Sequence, residues 1–273
     1  MTPLPQTPLV SIVTPSFNTG RYIAETLRSV LANDYPYLEH IVLDSGSTDE
    51  TLEVLAQFPN VTVIRNAPAG VCEKVNLGFS MARGDVVAWL CADDYYLPGA
   101  IGKAIDALKA NPDAALVYCN EMRVDEHSVE IGRIRTQQAG HRQLVHEQDY
   151  LPHPTVFIRR EALDATGLLN VRFPHVCDWD LWIRISQRFA LLYVDDWWAA
   201  VRKRPGQLSD SYRFTAWLEG RLMARTHGAP FFRRRSWTHR ARTMSRLAVM
   251  ILAGVCRAID SKLRSIVRNA GGL

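Results

Sequence analysis

An alternation between residues 9 and 119 constrains this chain most. Short apolar runs follow one another there, separated by stretches of helical periodicity. Residues 9–13 read as a strand, and after the polar Asn18-Thr19-Gly20 the residues Ile23, Leu27, Val30 and Leu31 recur at helical spacing. Residues 40–43 read as a second strand. Ser47-Thr48-Asp49-Glu50 then has the spacing of a capping box, with Leu52, Leu55 and Ala56 on one helical face behind it. A strand at 61–64, a helix at 71–82, a strand at 85–90, a helix at 99–109 and a strand at 114–119 complete the series. Such a pattern predicts an α/β fold with a mainly parallel sheet flanked by helices, whose ligands bind beyond the carboxyl ends of the strands. Polar clusters sit at those ends: Thr14-Pro15-Ser16 after the first strand, Asp44-Ser45-Gly46 after the second, and Cys91-Ala92-Asp93-Asp94 after the fourth.

Past residue 120 the pattern weakens into mixed short strands up to about 175. It recovers as a helix over 176–189 and a pair of apolar strands over 190–201. With 273 residues the chain is long enough for one large domain with an appendage. The charge distribution places that appendage. Residues 201–273 carry 16 Lys/Arg against 3 Asp/Glu, whereas residues 1–200 carry 16 against 25. The expected division is a domain over 1–210, made of halves 8–120 and 121–210, followed by a basic helical extension over 211–273.

Several function classes are poorly supported. No GxxxxGK[ST] loop, no GxGxxG after the first strand, no HExxH and no GxSxG occurs. The five cysteines are widely spaced without a CxxC pair, which suggests neither a zinc module nor a disulfide framework and fits a cytoplasmic protein. No secretory signal opens the sequence. The longest apolar run, residues 247–256, falls short of the ~20 residues that a bilayer span requires.

Individual residues admit two readings each. Asp93 and Asp94 are either cap and turn residues before Pro98 or an oxygen-rich site for Mg²⁺ or Mn²⁺ bridged to a diphosphate. Asp44 is either a turn residue or a partner for a base or ribose. Asp178 and Asp180 lie ~200° apart on their helix. Asp178 shares the stripe of Leu181, Trp182 and Ile185 and so points to the core or a cleft, while Asp180 pairs with Arg184 at i,i+4 on a face expected to be solvated. Asp178 is thus the better functional acid, its alternative being a helix-start carboxylate. His153, between Pro152 and Pro154, reads as a loop residue or a ligand contact. Arg202 and Arg204 read as an exposed basic turn or as phosphate contacts.

Six ordered segments together resemble the family 2 glycosyltransferases of the GT-A fold: VSIVTPSFN at 10–18, IVLDSGSTDET at 41–51, GVCEKVNLGFSMARGD at 70–85, WLCADDYYLPGAI at 89–101, HPTVFIRREAL at 153–163 and CDWDLWIRIS at 177–186. The resemblance implies a Rossmann-like nucleotide-sugar half and an acceptor half. It places Thr14, Pro15 and Ser16 along the nucleotide, Asp44 at its base, Asp93 near the ribose or sugar, Asp94 on a Mn²⁺ or Mg²⁺ ion, and Asp178 as the catalytic base. It also implies inverting transfer from a nucleoside diphosphate sugar, UDP-sugar favoured, to a saccharide or lipid-linked acceptor. Two departures stand out. Cys177 precedes the base where the family often has Glu or Ala, and Arg204 stands where the family has a histidine that sometimes serves a metal or phosphate. Arg202, Arg204 and His153 remain candidates for diphosphate or acceptor contacts.

The basic tail over 231–268 combines arginines with an apolar run, which suits an anionic membrane surface, at the inner face of the cell membrane, better than nucleic acid. A solvated basic helix or an oligomer contact is the other reading. A nucleotidyltransferase, a non-catalytic nucleotide-sugar or glycan-binding protein and a nucleic-acid binder are the rival functions. The first is disfavoured because 14–18 lacks a glycine-rich loop with arginine.

Overall fold

The computed structural model describes residues 1–204, 207 and 212–229. The basic segment over 231–268 lies outside the described residues, and so does its expected membrane contact. The elements are β1 (Val10–Ser16), α1 (Gly20–Leu31), β2 (Leu38–Asp44), α2 (Thr51–Leu55), β3 (Thr62–Ile64), α3 (Val71–Met81), β4 (Val86–Trp89), β5 (Tyr95–Tyr96), α4 (Ala100–Ala110), β6 (Ala114–Val124), β7 (Glu130–Ile134), α5 (His141–His146), a 3₁₀ turn (His153–Thr155), β8 (Phe157–Arg159), α6 (Arg160–Thr166), α7 (Cys177–Ser186), β9 (Ala190–Arg202) and α8 (Arg213–Thr226).

The sheet order is β3-β2-β1-β4-β8-β6-β9-β5, with β7 added to β6. The first four strands run parallel, which is what the β-α alternation predicts. Beyond β4 the sheet turns mixed: β8 enters antiparallel between β4 and β6, and β9 then runs parallel to β6. The region expected as two apolar strands over 190–201 is one continuous strand. It bends through register shifts along β6 and ends against β5.

β4 shows why the sheet needs helices on both sides. Val87 and Trp89 face the layer of α3, α6 and α7, while Val86 and Ala88 face α4, and all four are buried. A third cluster packs Ile23 and Leu27 of α1 on Leu55 and Val42. Gly78 lets α3 cross β1 closely: a Cβ there would stand 2.3 Å from Val13 Cγ1.

One sequence expectation changes here. The capping box at 47–50 does not form, because the Ser47 hydroxyl donates to Asp44 instead. The chain divides into two compact units, the first over residues 1–230. Within it α8 packs on α7, with Gly220 against the Trp179 ring and Glu219 bonded to His175 Nδ1 at 2.7 Å.

Candidate functional site

The carboxyl ends of β1, β2 and β4 are each closed by a polar turn. Thr14 is fully buried and its Oγ1 bonds His40 Nε2 at 2.8 Å. Burial holds the His40 imidazole down at about 4 and therefore neutral. Ser16 Oγ bonds Thr19 Oγ1 at 2.9 Å and donates to Asp44 at 3.3 Å. Asp44 itself is fully buried and accepts from the Gly46 and Ser47 amides at 2.9 and 2.8 Å as well as from both serine hydroxyls. This is the turn geometry, and a base contact would have to displace one of those donors.

The loop after β4 is different. Asp93 and Asp94 do not cap α4, whose N-cap is Gly99 at φ 75°. Instead the loop is tied to α1: Thr26 Oγ1 donates to the Asp94 carbonyl at 2.7 Å, and the Tyr96 amide donates to Ser29 Oγ at 3.0 Å. Asp94 is 3% exposed and one of its oxygens accepts the Arg202 amide at 2.9 Å. Burial, then the neighbouring Asp93 charge, push its carboxyl well above the usual carboxylate range. Arg204 Nε pairs with Asp93 Oδ2 at 2.8 Å, so the arginine in the histidine's place does reach the strand-end cluster.

Arg202 is not the exposed turn residue that one of its two readings expects. Its guanidinium is 1% exposed and donates to the Asp93 and Asp125 carbonyls, to Ser128 and to Glu25, which ties the loop in place.

Opposite this loop stands α7. Asp178 lies in its first turn, partly buried, with Oδ1 accepting the Trp179 amide at 2.8 Å. Burial pushes its carboxyl upward, and Asp149, raised by burial and by the Asp178 charge, is its acidic neighbour. The charges of Asp94, Asp93 and Asp178 all act on the half-buried Cys91 thiol, which is pushed up by desolvation first. Trp89, at the end of β4, stacks on Trp182 of α7, so the loop that carries Asp93 and Asp94 and the helix that carries Asp178 meet at the same strand end. A hollow of about 450 Å³ lined by Glu121, Arg135, Asp149 and Tyr150 lies beside Asp178, whose neighbour Asp149 forms part of its wall. A larger hollow of about 670 Å³ lies at the opposite ends of the strands, where Asp85 and Glu161 merely pin the Leu9 and Thr2 amides.

Asp180 corrects the expectation of a solvated face. It does pair with Arg184, at 2.8 Å, yet it is 2% exposed and also bonds His227 Nε2 at 2.9 Å. The cover comes from α8, distant in sequence. Cys72 and Cys177, 105 residues apart, are joined as a disulfide, contrary to the reading from spacing. The fold brings the first turns of α3 and α7 together, which no local pattern records.

Sequence reasoning gave no role to Lys74 or Cys91, whereas His153 was already a candidate contact. Lys74, 4% exposed, donates to the Ser16 carbonyl at 3.2 Å; a lysine on the buried stripe of α3, beside Val75 and Gly78, was the available signal. Cys91 and His153 stand with Sγ and Nε2 3.5 Å apart, and their ligand atoms lie with an Asp94 oxygen all within 4.8 Å of one another. His153 is stacked on Trp89 at 5.3 Å, and Trp89 is stacked in turn on Trp182 of α7 at 5.6 Å.

A mixed α/β sheet with an acidic cleft beyond its strand ends is the arrangement of the GT-A fold, and solved structures agree. The chain is similar to S. aureus TarS 1–349 in complex with UDP-GlcNAc, with a TM-score of 0.62 and 21% identity over 79% of this chain and 65% of that one. It is similar to the mannosyltransferase PcManGT from Pyrobaculum calidifontis in complex with GDP-Man and Mn²⁺, with a TM-score of 0.62 and 20% identity over 84% and 68%. The family model for glycosyl transferase family 2 matches residues 11–167, and the chain belongs to that family. Among relatives, an uncharacterized glycosyltransferase of Rickettsia prowazekii is 28% identical over 69% of this chain, and chondroitin synthase of Escherichia coli is 27% identical over 67%. The chain spans 61% of the length of the first and 27% of the second.

Proposed function

We propose that the chain transfers a glycosyl group from a nucleoside diphosphate sugar, UDP-linked by preference, to an acceptor hydroxyl with inversion at the anomeric carbon. The observation that carries this reading is that the Trp89–Trp182 stack brings α7, with Asp178 in its first turn, to the end of β4 where the Asp93-Asp94 loop begins. The donor diphosphate lies beyond the ends of β1 and β4, framed by Thr14, Pro15 and Ser16, with the ribose or sugar toward Asp93. Arg204, held on Asp93, reaches the diphosphate with its remaining donors. The acceptor approaches from the side of the 450 Å³ hollow.

Asp178 takes the proton of the acceptor hydroxyl as the oxygen attacks the anomeric carbon. The bond to the diphosphate breaks with its electron pair on the departing oxygen, so no covalent intermediate with the protein forms. The same burial that lifts the Asp178 carboxyl makes its anion a stronger base. Asp94 suits a cation: it is buried beside a second acid, and among the described residues no Lys, Arg or His side chain forms an ion pair with it. A Mn²⁺ or Mg²⁺ ion bound there would neutralise charge growing on the leaving diphosphate.

The likeness to chondroitin synthase and hyaluronan synthase supports a saccharide or lipid-linked acceptor and a role in surface polysaccharide or glycolipid assembly. Residues 231–268 would then hold the enzyme peripherally at the inner membrane face. The test is a thermal-shift series with UDP-, GDP-, dTDP- and CMP-sugars, with and without Mn²⁺. A donor at 100 times its dissociation constant adds about 2.7 kcal/mol of stability. A metal-dependent shift with UDP-sugars, together with UDP release that Asp178→Asn abolishes, is expected. No shift with any donor, or release untouched by Asp178→Asn, would overturn the reading.

A further inference from the structure

Three ligand-type side chains from two separate elements meet at the carboxyl end of β4. Cys91 and Asp94 open and close the loop after the strand, and His153 comes from the 3₁₀ turn before β8. One sulfur, one oxygen and one nitrogen stand within 4.8 Å of one another, the sulfur and nitrogen 3.5 Å apart. Ligands of one tetrahedral ion are separated by about 3.3–3.6 Å when metal–nitrogen and metal–sulfur bonds are about 2.0 and 2.3 Å. The cluster therefore needs a small closure on an ion and no rearrangement of the backbone.

Its members are also held in place. The imidazole is stacked on Trp89 with an interplanar angle of 15°, and the turn that carries it is bounded by Pro152 and Pro154. Asp94 is oriented by the Arg202 amide, whose own side chain is buried and fully engaged. Such outer partners fix the direction of ligand lone pairs. The sequence pattern looked for a histidine at 204 and found Arg204, which instead neutralises Asp93. The imidazole reaches the site from a different element.

We propose that Cys91, Asp94 and His153 together hold the ion of the donor site, and that this sulfur, oxygen and nitrogen set makes it a site for a Zn²⁺- or Co²⁺-type ion rather than Mg²⁺. Thiolate and imidazole are ligands of the borderline transition metals, whereas Mg²⁺ prefers oxygen and keeps most of its water. Among first-row ions the expected order places Mn²⁺ weakest. The role of the site rests on the donor reading above, but binding of the metal alone does not.

The test is titration of the full chain with Co²⁺, followed by absorption. The expected result is a thiolate-to-cobalt charge-transfer band in the near ultraviolet that saturates at one ion per chain. Cys91→Ser abolishes the band, and Cys91→Ser, His153→Ala and the more conservative His153→Gln each weaken binding by at least about tenfold. Cys119→Ser, at a buried thiol elsewhere, leaves both unchanged. Circular dichroism establishes that each variant is folded. Absence of the band in the wild type, affinity unchanged in folded Cys91 and His153 variants, or displacement of Co²⁺ by equimolar Mg²⁺ would overturn the assignment. Binding of UDP in Mg²⁺ without any cobalt band would sink the ligand set and leave the donor reading intact. A cobalt band in a protein that binds no nucleotide with any ion would uphold the metal site and remove the donor reading.

Discussion

The two halves of the domain use their polar residues in opposite ways. In the first half, up to about residue 120, the strand-end polar groups bond mostly to each other: Thr14 to His40, and Ser16 and Ser47 to Asp44. In the second half, the Asp178 carboxylate accepts from the Trp179 amide with Asp149 beside it, and His153 meets Cys91 and Trp89 of the first half. The turns after β1 and β2 are thus a preformed, satisfied frame, while the groups open to a ligand come from the loop after β4 and from the second half. The difference teaches that a polar motif at a strand end can serve the site by fixing a turn without touching the ligand.

The largest effect should fall on the second half. Asp178→Asn is expected to lower turnover by 10²- to 10⁴-fold with donor affinity unchanged, measured as UDP release at saturating donor and acceptor. If affinity fell along with turnover, the division of labour would break. Next comes the aromatic stack that joins the halves. Trp182→Ala removes a fully buried ring from Trp89 and is expected to cost about 3–5 kcal/mol in urea unfolding. A loss below about 1 kcal/mol would mean the halves are not coupled through it.

The third effect is one of pH. His40 titrates at about 4 in the folded chain against about 6.5 unfolded, so the unfolded state binds more protons between those values. Stability is fully present above pH 6.5 and falls as pH drops through this window. At pH 4.5 the loss from this group is up to about 2.7 kcal/mol. His153, also lowered to about 4 by burial, adds a loss of the same sign. Urea midpoints at pH 7 and 4.5 for the wild type and His40→Gln check this, and the variant should lose less. The smallest effect is at Arg204. Because its partner Asp93 remains, Arg204→Ala is expected to weaken donor binding about tenfold, near 1.4 kcal/mol, with little effect on folding.

The same contrast explains what could be read from sequence. The parallel order β3-β2-β1-β4 follows from local periodicity, and so do the strand-end positions of Asp44, Asp93 and Asp94. The helix of Asp178 was legible, although it is Asp180 that α7 buries fully while Asp178 is only partly buried in the first turn. What escaped was non-local. Asp180 looked solvated until α8, more than thirty residues on, covered it. The Cys72–Cys177 pair and the Cys91–His153 contact join residues 105 and 62 positions apart, beyond any spacing rule. The antiparallel entry of β8 between β4 and β6 is set by tertiary pairing, since residues 157–159 are too short to show a direction.

The central claim is that one half binds the donor and the other supplies the base. Calorimetric titration of UDP-sugar in Mn²⁺ into the wild type, Asp94→Asn and Asp178→Asn tests it most directly. The account predicts metal-dependent binding to the wild type, the same affinity in Asp178→Asn, and a loss of at least about tenfold in Asp94→Asn. Equal loss in both variants, or wild-type affinity in Asp94→Asn, would contradict it.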